Sequence, residues 1–181
     1  MIMGYVVLCS GGIDSATLTA LAVTEDQEVE LCFVDYGQPA REAEREAVRS
    51  LGHHFAAPVQ ELQVQGLVIS AGEIPMRNAL LVTCAAALRP DAALVGLGIH
   101  AGTGYRDCSP DFVDLLQRTL DFHRDGAMQL VTPFLNWSKG DIHALALRLD
   151  VPLSVTHSCE ASDDACGACS SCADREALGV G

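Results

Sequence analysis

The segment Ser10-Gly11-Gly12-Ile13-Asp14-Ser15 has the composition of a loop that binds phosphate groups. It follows an apolar run and leads into a segment rich in Ala and Leu, so it joins a buried strand to a helix. Glycines let the backbone turn sharply and present successive N–H groups, and the start of the next helix attracts anions. The segment is not a Walker A motif, because no Gly-Lys-Ser/Thr follows it. The alternative is a tight turn in which Asp14 or Ser15 caps the helix, but the complete motif favours phosphate binding.

Four cysteines near the C-terminus form a second candidate site, in the pattern Cys159-x6-Cys166-x2-Cys169-x2-Cys172. Four thiolates make a closed tetrahedral zinc site, which leaves no open position for catalysis and is therefore structural. The residues after position 152 are too few and too polar to form their own core, so a metal is needed to fold them. Redox-active thiols and an iron–sulfur cluster are the alternatives. We interpret the neighbouring His157 as a packing or hydrogen-bonding residue.

Several polar residues give weaker signals, because each follows a predicted strand or begins a predicted helix. Each by itself is typical of a cap, a turn or a solvated charge. Arg77 can hold an anion, Asn78 can cap the helix that it begins, and Lys139 places an ammonium group where a phosphate would bind. Their shared position at strand ends favours a common site, and the full set is Tyr36, Gln38, Arg77, Asn78, Tyr105, Asp107 and Lys139.

The hydrophobic pattern predicts strands that alternate with helices. We expect strands over residues 5–9, 29–34, 59–64, 92–97 and 129–134, and helices over 14–23, 40–51, 77–88 and 112–124. Gly52 is the expected C-cap of the second helix, and Ser138 with Asp141 forms a capping box that begins the last one. This order predicts an α/β fold with a parallel sheet, whose ligands bind beyond the carboxyl ends of the strands. Residues 1–152 are expected to form this domain, and residues 153–181 a metal-binding tail packed on it.

Composition and charge exclude several classes of protein. The chain has 181 residues, 49% hydrophobic and 19% charged, which is typical of one globular domain. The net charge of −13 disfavours nucleic acid as a partner, because phosphate contacts need Lys and Arg. No apolar run is long enough to span a membrane, and the N-terminus does not resemble a signal peptide. We therefore expect a cytoplasmic protein, in which clustered cysteines bind metal and do not form disulfides.

Together these segments resemble the QueC family of 7-cyano-7-deazaguanine synthases, which are PP-loop (N-type) ATP pyrophosphatases. The resemblance extends over nearly the whole chain. It rests on SGGIDSAT at 10–17, DYGQ at 35–38, P-x-R-N at 75–78, Y-x-D-C-x-P-x-F at 105–112, SKGDI at 138–142 and the tail from 151.

The resemblance implies a Rossmann-type PP-loop sandwich with a zinc-binding tail, and an ATP-dependent carbon–nitrogen ligase of queuosine biosynthesis. Such an enzyme adenylates 7-carboxy-7-deazaguanine and aminates it with ammonia, using ATP, Mg²⁺ and structural Zn²⁺. Asp14, Ser15 and Lys139 would be catalytic. The residues that would contact the substrate are Tyr36, Gln38, Arg77, Asn78, Tyr105 and Asp107. ATP would bind at Leu8, Cys9, Ser10, Gly11, Gly12, Ile13, Asp14, Ser15, Ala16, Thr17 and Leu18.

The chain also departs from the family pattern. Pro39 and Ala40 replace a basic residue and His, the segment before Ile74 is short, and residues 101–104 lack the usual acidic residue. These changes also suit a paralogue that stops at the amide or joins the activated base to another amine, including one on a protein. A tRNA sulfur-transfer enzyme, with Cys108 as the candidate thiol, and a non-catalytic binding module are further alternatives. A homodimer, or a partner protein that supplies missing contacts, is compatible with the short chain.

Overall fold

The computed structural model describes residues 4–69, 74–100 and 102–180. Its strands are β1 (Gly4–Leu8), β2 (Glu28–Asp35), β3 (Val59–Gln63), β4 (Leu94–Leu97) and β5 (Gln129–Val131). Its α-helices are α1 (Ile13–Thr24), α2 (Arg41–His54), α3 (Arg77–Leu88), α4 (Pro110–Arg124), α5 (Lys139–Arg148) and α6 (Ser170–Ala177). Short 3-10 helices occur at Arg106–Cys108 and Leu153–Val155.

The strands form one parallel sheet in the order β3-β2-β1-β4-β5. Tyr5 in β1 is opposite Val29 in β2 and Leu94 in β4. Strand β2 lies beside β1 and β3 lies beside β2, whereas β4 pairs with the other side of β1 and is followed by β5. The strand order therefore reverses between β1 and β4, and the predicted α/β fold is confirmed. Ligands of such sheets bind at this reversal, beyond the carboxyl ends of the strands.

Helices cover both faces of the sheet and create two apolar cores. Alternate residues of β1 point to opposite faces, so Tyr5 and Val7 lie in one core and Val6 and Leu8 in the other. Helices α1, α2 and α5 supply the first core, and α3 and α4 the second. Burial on both sides explains why β1, β4 and most of β2 are apolar runs in the sequence, whereas β3, at the edge of the sheet, is more polar and more exposed.

Gly52 lies inside α2, so its prediction as a C-cap is wrong. A Cβ at this position would lie 2.4 Å from Val59 Cγ2 and 2.9 Å from the Ala57 carbonyl oxygen. Glycine is required here because β3 passes close to the helix, and the turn is made later, at Ala56, which has a φ of 52°. A tertiary contact, and not a local turn, accounts for this glycine.

The chain after α5 forms a short tail that ends in α6, a helix that the sequence analysis did not predict. Most of α6 is polar and exposed, so it lacks the apolar stripe that identifies a surface helix. Val180, beyond the helix, packs into the core that α1 and α5 share. Among the helices in the described ranges, none has the length and apolar character to cross a bilayer.

Candidate active site

Residues 10–15 turn tightly from β1 into α1. Gly11 has a φ of 78°, and a Cβ there would lie 2.6 Å from Ala47 Cβ and 3.0 Å from the Glu44 carbonyl oxygen. Glycine is therefore required both by the backbone conformation and by the close approach of α2. The N-cap of α1 is Gly12, which makes no side-chain cap hydrogen bond. The prediction that Asp14 or Ser15 caps this helix is wrong, since the Ser15 hydroxyl donates to the Gly12 carbonyl at 3.1 Å.

The absence of a side-chain cap in this described segment leaves the first amides of α1 free of competing side-chain acceptors. These amides lie at the point where the strand order reverses. The backbone of the loop can therefore receive an anion such as a phosphate group.

Most side chains of the loop region are buried and cannot contact a ligand. Even the polar residues Ser15 and Thr17 are buried, and the Thr17 hydroxyl donates to the Ile13 carbonyl at 2.7 Å. Contacts with a nucleotide by this part of the chain must therefore come from backbone groups and from Ser10 and Asp14, whose side chains lie at the surface of the loop. The buried apolar side chains are those of Leu8, Cys9, Ile13, Ala16 and Leu18.

Lys139, at the start of α5, pairs with Asp14 in the loop. Its Nζ lies 2.8 and 2.7 Å from the two carboxylate oxygens of Asp14. Ser138 and Asp141 form the predicted capping box, with the Ser138 hydroxyl accepting from the Asp141 amide at 3.2 Å. The cap fixes the first turn of α5 and so places Lys139, the only lysine in the sequence, beside the loop.

His100, three residues after the end of β4, is a site residue that the sequence analysis missed. It is buried, and its Nε2 lies 3.9 Å from an Asp14 carboxylate oxygen. Its Nδ1 has no hydrogen-bond partner among the described residues. The position of a His at the end of a strand next to the reversal point was the signal that could have identified it.

The six candidate substrate residues come together from three parts of the chain: the loop after β2, the start of α3 and the segment between β4 and α4. Asn78 donates from its side chain to the Asp107 carbonyl at 2.9 Å, and its backbone amide donates to the Asp107 carboxylate at 3.3 Å. Asn78 therefore links α3 to the loop after β4 and does not cap its own helix, contrary to the prediction. The Arg77 guanidinium lies 5.8 Å from the centre of the Tyr105 ring.

The same Arg77 side chain interacts with the hydroxyl of Tyr36, which follows β2. Gln38 accepts a hydrogen bond from the Tyr36 amide at 2.9 Å, so it fixes the turn that presents the tyrosine ring. Burial raises the pKa of Tyr36, which keeps its hydroxyl protonated near neutral pH.

A cavity of about 320 Å³ opens beside Tyr36, beyond the carboxyl ends of β2 and β3. Its walls include Asp35, Gln63, Leu67 and Ile69. A larger cavity of about 490 Å³ lies by the C-terminal end of α2, where His53 and His54 are, and none of the loops described above lines it. The smaller cavity is the one next to the candidate residues.

Glu44, in the first half of α2, is a second site residue that the sequence analysis missed. Its carboxylate accepts a hydrogen bond from the Gln38 side-chain amide at 2.7 Å. Burial raises the pKa of this carboxyl to about 7, against the smaller opposing effects of Gln38 and Arg77. In the sequence Glu44 is one of several acids on a charged amphipathic helix, so nothing local distinguished it.

The four tail cysteines form a cluster whose sulfurs all lie within 4.8 Å of one another. The Sγ atoms of Cys166 and Cys172 are 3.9 Å apart, a spacing that tetrahedral zinc with Zn–S bonds of about 2.3 Å produces. Backbone amides point at the sulfurs, as when the Cys169 amide donates to Cys166 Sγ at 3.4 Å. Burial opposes ionisation of Cys159, but amides lower its pKa to about 6, which favours the thiolate. Gly167, with a φ of 67°, makes the turn between Cys166 and Cys169.

The tail contacts the candidate phosphate-binding loop, residues 10–15, directly. The His157 amide donates to the Gly11 carbonyl at 2.9 Å, and the His157 ring nitrogen Nε2 contacts the Ser162 carbonyl at 3.2 Å. Asp163 accepts from the amides of Glu42 and Ala43, at 3.1 and 3.0 Å, and thereby caps the start of α2. The structure of the tail is thus linked to both the loop and the helix that packs on it.

A family model described as "Queuosine biosynthesis protein QueC" matches residues 4–72 and 56–178. The chain belongs to the QueC family. This QueC-family chain is 33% identical over 198 aligned positions to a 7-cyano-7-deazaguanine synthase from Methanoculleus marisnigri, covering 92% of the chain and 89% of the relative. It is 36% identical over 204 positions to one from Synechococcus sp., covering 95% and 92%. Both alignments exceed the 181 residues of the chain, so these relatives contain residues with no counterpart here.

Two solved structures share the fold of this QueC-family chain at low sequence identity. One is described as a predicted subunit of tRNA methyltransferase from Methanocaldococcus jannaschii, with a TM-score of 0.56, 14% identity, and coverage of 80% of this chain and 74% of that one. The other is NMN synthetase from Francisella tularensis, with a TM-score of 0.55, 17% identity, and coverage of 85% and 64%. At these identities the likeness describes architecture alone.

Proposed function

We propose that this QueC-family chain is an ATP-dependent carbon–nitrogen ligase that converts 7-carboxy-7-deazaguanine and ammonia into 7-cyano-7-deazaguanine. The observation that carries the proposal is the match to relatives named 7-cyano-7-deazaguanine synthase over more than nine-tenths of the chain. The residues matched by the QueC family model, 4–72 and 56–178, include both the loop at 10–15 and the four tail cysteines. The proposed substrate is a small heterocycle, which agrees with the size of the cavity beside Tyr36.

In this proposal the backbone amides of residues 10–15 hold the phosphates of ATP, with Mg²⁺ as their counter-ion. ATP supplies adenylation, which turns a carboxylate oxygen of the substrate into a phosphate leaving group. Lys139 stays close to the loop through its ion pair with Asp14 and stabilises negative charge as pyrophosphate leaves. No nucleophilic side chain is needed, and burial raises the pKa of both Cys9 and Cys108, which disfavours a catalytic thiolate at either.

The substrate would bind beside Tyr36, with its carboxylate directed toward Arg77. Arg77 is a guanidinium whose neighbours Tyr36, Tyr105 and Asp107 hold it in place. A planar base can stack on a tyrosine ring, and a carboxylate can take a bidentate hydrogen bond from an arginine. Gln38 and Asn78 then act by positioning Tyr36 and Asp107.

The remaining assignments are parts of the same proposal. Zinc fits the four thiolates and serves to fold the tail, residues 153–181, onto the nucleotide-binding domain, residues 1–152. A biosynthetic enzyme that uses ATP and reduced thiols suits the cytoplasm. A homodimer and a protein partner stay predictions.

The test is to incubate the purified protein with ATP, Mg²⁺, 7-carboxy-7-deazaguanine and ammonium and to identify the products by mass spectrometry. We expect the nitrile together with AMP. The variant Lys139→Met should slow its formation by about 100-fold, the usual cost of removing one preorganised charge-stabilising group. Arg148→Met removes an exposed cation from the other end of α5 and is the matched control.

If the product is an amide that is not converted further, the chain is an amide-forming paralogue and does not make the nitrile. Absence of both AMP release and ATP binding would overturn the enzymatic function.

A further inference from the structure

Amination at this site requires an uncharged nitrogen nucleophile, whereas ammonia in neutral solution is almost entirely ammonium. The site therefore needs a group that attracts a cation and then takes its proton. A carboxylate that has no basic partner has both properties.

The acids around the site differ in whether a cation already neutralises them. Asp14 pairs with Lys139, and Asp35 pairs with Arg45 at 2.6 Å. Asp107 also has no ion pair among the described residues, but its carboxylate accepts a hydrogen bond from the Asn78 amide and so joins α3 to the loop after β4. The carboxylate of Glu44 has no Lys or Arg nitrogen within 4 Å in the part of the chain that the structure describes, and its hydrogen-bond partner is the neutral Gln38 amide. Glu44 is thus a half-buried carboxylate without an ion-pair partner among the described residues.

The position of Glu44 is between the two halves of the candidate site. Its carbonyl oxygen adjoins Gly11 in the phosphate-binding loop, and through Gln38 its carboxylate is connected to the turn that carries Tyr36. Arg77 is close enough to influence Glu44 electrostatically but does not form an ion pair with it. A small cation bound at Glu44 would lie near the groups that we assign to phosphate and to carboxylate.

We propose that Glu44 binds the ammonium ion and is the proton acceptor that converts it to ammonia, an inference that rests on the proposed function. The Glu44 carboxylate takes one proton from ammonium and becomes a carboxylic acid. The nitrogen lone pair forms a bond to the activated carboxyl carbon, and the bond from that carbon to the AMP oxygen breaks, with its electron pair leaving on AMP. The second proton lost by nitrogen passes to solvent, and so does the proton held by Glu44 before the next turnover.

The groups that face Glu44 fit this role. Burial raises the pKa of its carboxyl to about 7, so the residue can accept and release a proton near neutral pH. Arg77 from α3 opposes the rise, whereas Asp35 at the end of β2 and Asp163 from the tail add to it. The buried Cys9 thiol and the Tyr36 hydroxyl also lie within electrostatic range of Glu44.

The experiment separates activation of the substrate from attack by the amine. Exchange of pyrophosphate into ATP, dependent on 7-carboxy-7-deazaguanine, reports adenylation alone. Turnover is then measured with ammonium, which must lose a proton, and with hydroxylamine, which is mostly uncharged at neutral pH and gives a hydroxamate. The variants are Glu44→Gln and, as matched control, Glu46→Gln, an exposed acid one half-turn further along α2.

For Glu44→Gln we expect pyrophosphate exchange within about 3-fold of the wild type and ammonium-dependent turnover lower by about 100-fold, the contribution of a general base. Hydroxylamine-dependent turnover should change by less than about 3-fold, because the variant lacks only proton transfer. The residual ammonium rate of the variant should follow the concentration of free ammonia as pH rises. Glu46→Gln should resemble the wild type in all three assays.

Equal loss with both amines would overturn the inference, because it would make Glu44 a general support of the site. Unchanged turnover with ammonium, or loss of pyrophosphate exchange in Glu44→Gln alone, would overturn it as well. If the wild-type protein shows no exchange, the proposed function itself fails. If Glu44→Gln does not fold, Glu44→Asp is tested in its place. This variant keeps a carboxylate, and the inference requires a raised KM for ammonium with pyrophosphate exchange retained.

Discussion

At the scale of single residues, the site depends on which charges are neutralised. Lys139 and Asp14 neutralise each other at the candidate phosphate-binding loop. The Asp14 carboxylate therefore adds little electrostatic repulsion to a polyanion that binds there. Glu44 lacks such a partner, and the fold therefore bears a cost whenever its carboxyl is ionised. Residues kept in an unfavourable ionisation state are typical of functional sites.

The stability of the protein should reveal this cost. Burial raises the pKa of Glu44 in the folded state to about 7, from the ordinary value of 4.5 for Glu. Between pH 4.5 and pH 7 the folded state therefore binds more protons than the unfolded state. The contribution of Glu44 to stability is therefore present below its unfolded pKa and is lost as pH rises toward 7. Relative to the wild type, Glu44→Gln should gain about 2 kcal/mol of unfolding free energy between pH 5 and pH 8.

Urea denaturation at a series of pH values measures this difference. The same series on Glu46→Gln corrects for the loss of one charge from α2. A pH-independent difference between Glu44→Gln and the wild type would show that the Glu44 carboxyl is not held in this environment.

At the scale of elements, α2 is fixed by contacts from distant parts of the chain. Gly11 allows its close approach to the loop, and Arg45 pairs with Asp35 of β2 and Glu61 of β3. Asp163 of the tail caps its first turn, where an anionic side chain also interacts favourably with the helix dipole. The helix that carries Glu44 is thus positioned partly by the tail that contains the four clustered cysteines.

Removing this cap should destabilise the protein measurably. Asp163→Ala leaves the amides of Glu42 and Ala43 without their acceptor, and we expect a loss of about 1 kcal/mol of unfolding free energy. Asp164→Ala is the matched control, because Asp164 is a neighbouring exposed acid whose carboxylate is in no hydrogen bond among the described residues. Thermal denaturation of both variants with zinc bound measures the effect, and equal behaviour of the two would contradict it.

Across the whole molecule, the tail connects the proposed zinc site to the loop that we assign to ATP binding. The tail amide of His157 binds the Gly11 carbonyl, and Arg175 of α6 donates to the Thr156 hydroxyl at 2.8 Å. A segment of this size and polarity has too little apolar surface to fold by itself. Loss of the metal should therefore disorder the tail and release the loop from one of its supports.

We expect a zinc-selective chelator, used in excess Mg²⁺, to lower the melting temperature and to weaken ATP binding, both reversibly on addition of zinc. Differential scanning calorimetry and isothermal titration with ATP measure the two effects, and limited proteolysis locates the released segment. Cleavage should concentrate between Cys159 and Cys172. Unchanged ATP affinity after complete removal of the metal would show that the tail does not support the loop.

Features that depend on local pattern could be predicted from the amino-acid sequence. Apolar runs predicted the central strands β1, β2 and β4, which are buried on both faces, and residues 10–15 predicted the tight turn into α1. Ser138 and Asp141 predicted their capping box because both partners lie within one helical turn. The spacing of the cysteines predicted a cluster, since thiols so close in sequence can reach one ion whatever the rest of the fold.

Contacts between residues that are distant in the chain became visible in the folded structure. Lys139 and Asp14 are 125 positions apart, and Asp163 is 120 positions from Ala43, distances at which sequence carries no pairing signal. The role of Gly52 depends on how closely β3 passes α2, and the unusual carboxyl of Glu44 depends on burial by several elements at once. Burial and electrostatic environment are properties of packed surfaces, so they arise only when the sheet brings its loops to a common edge.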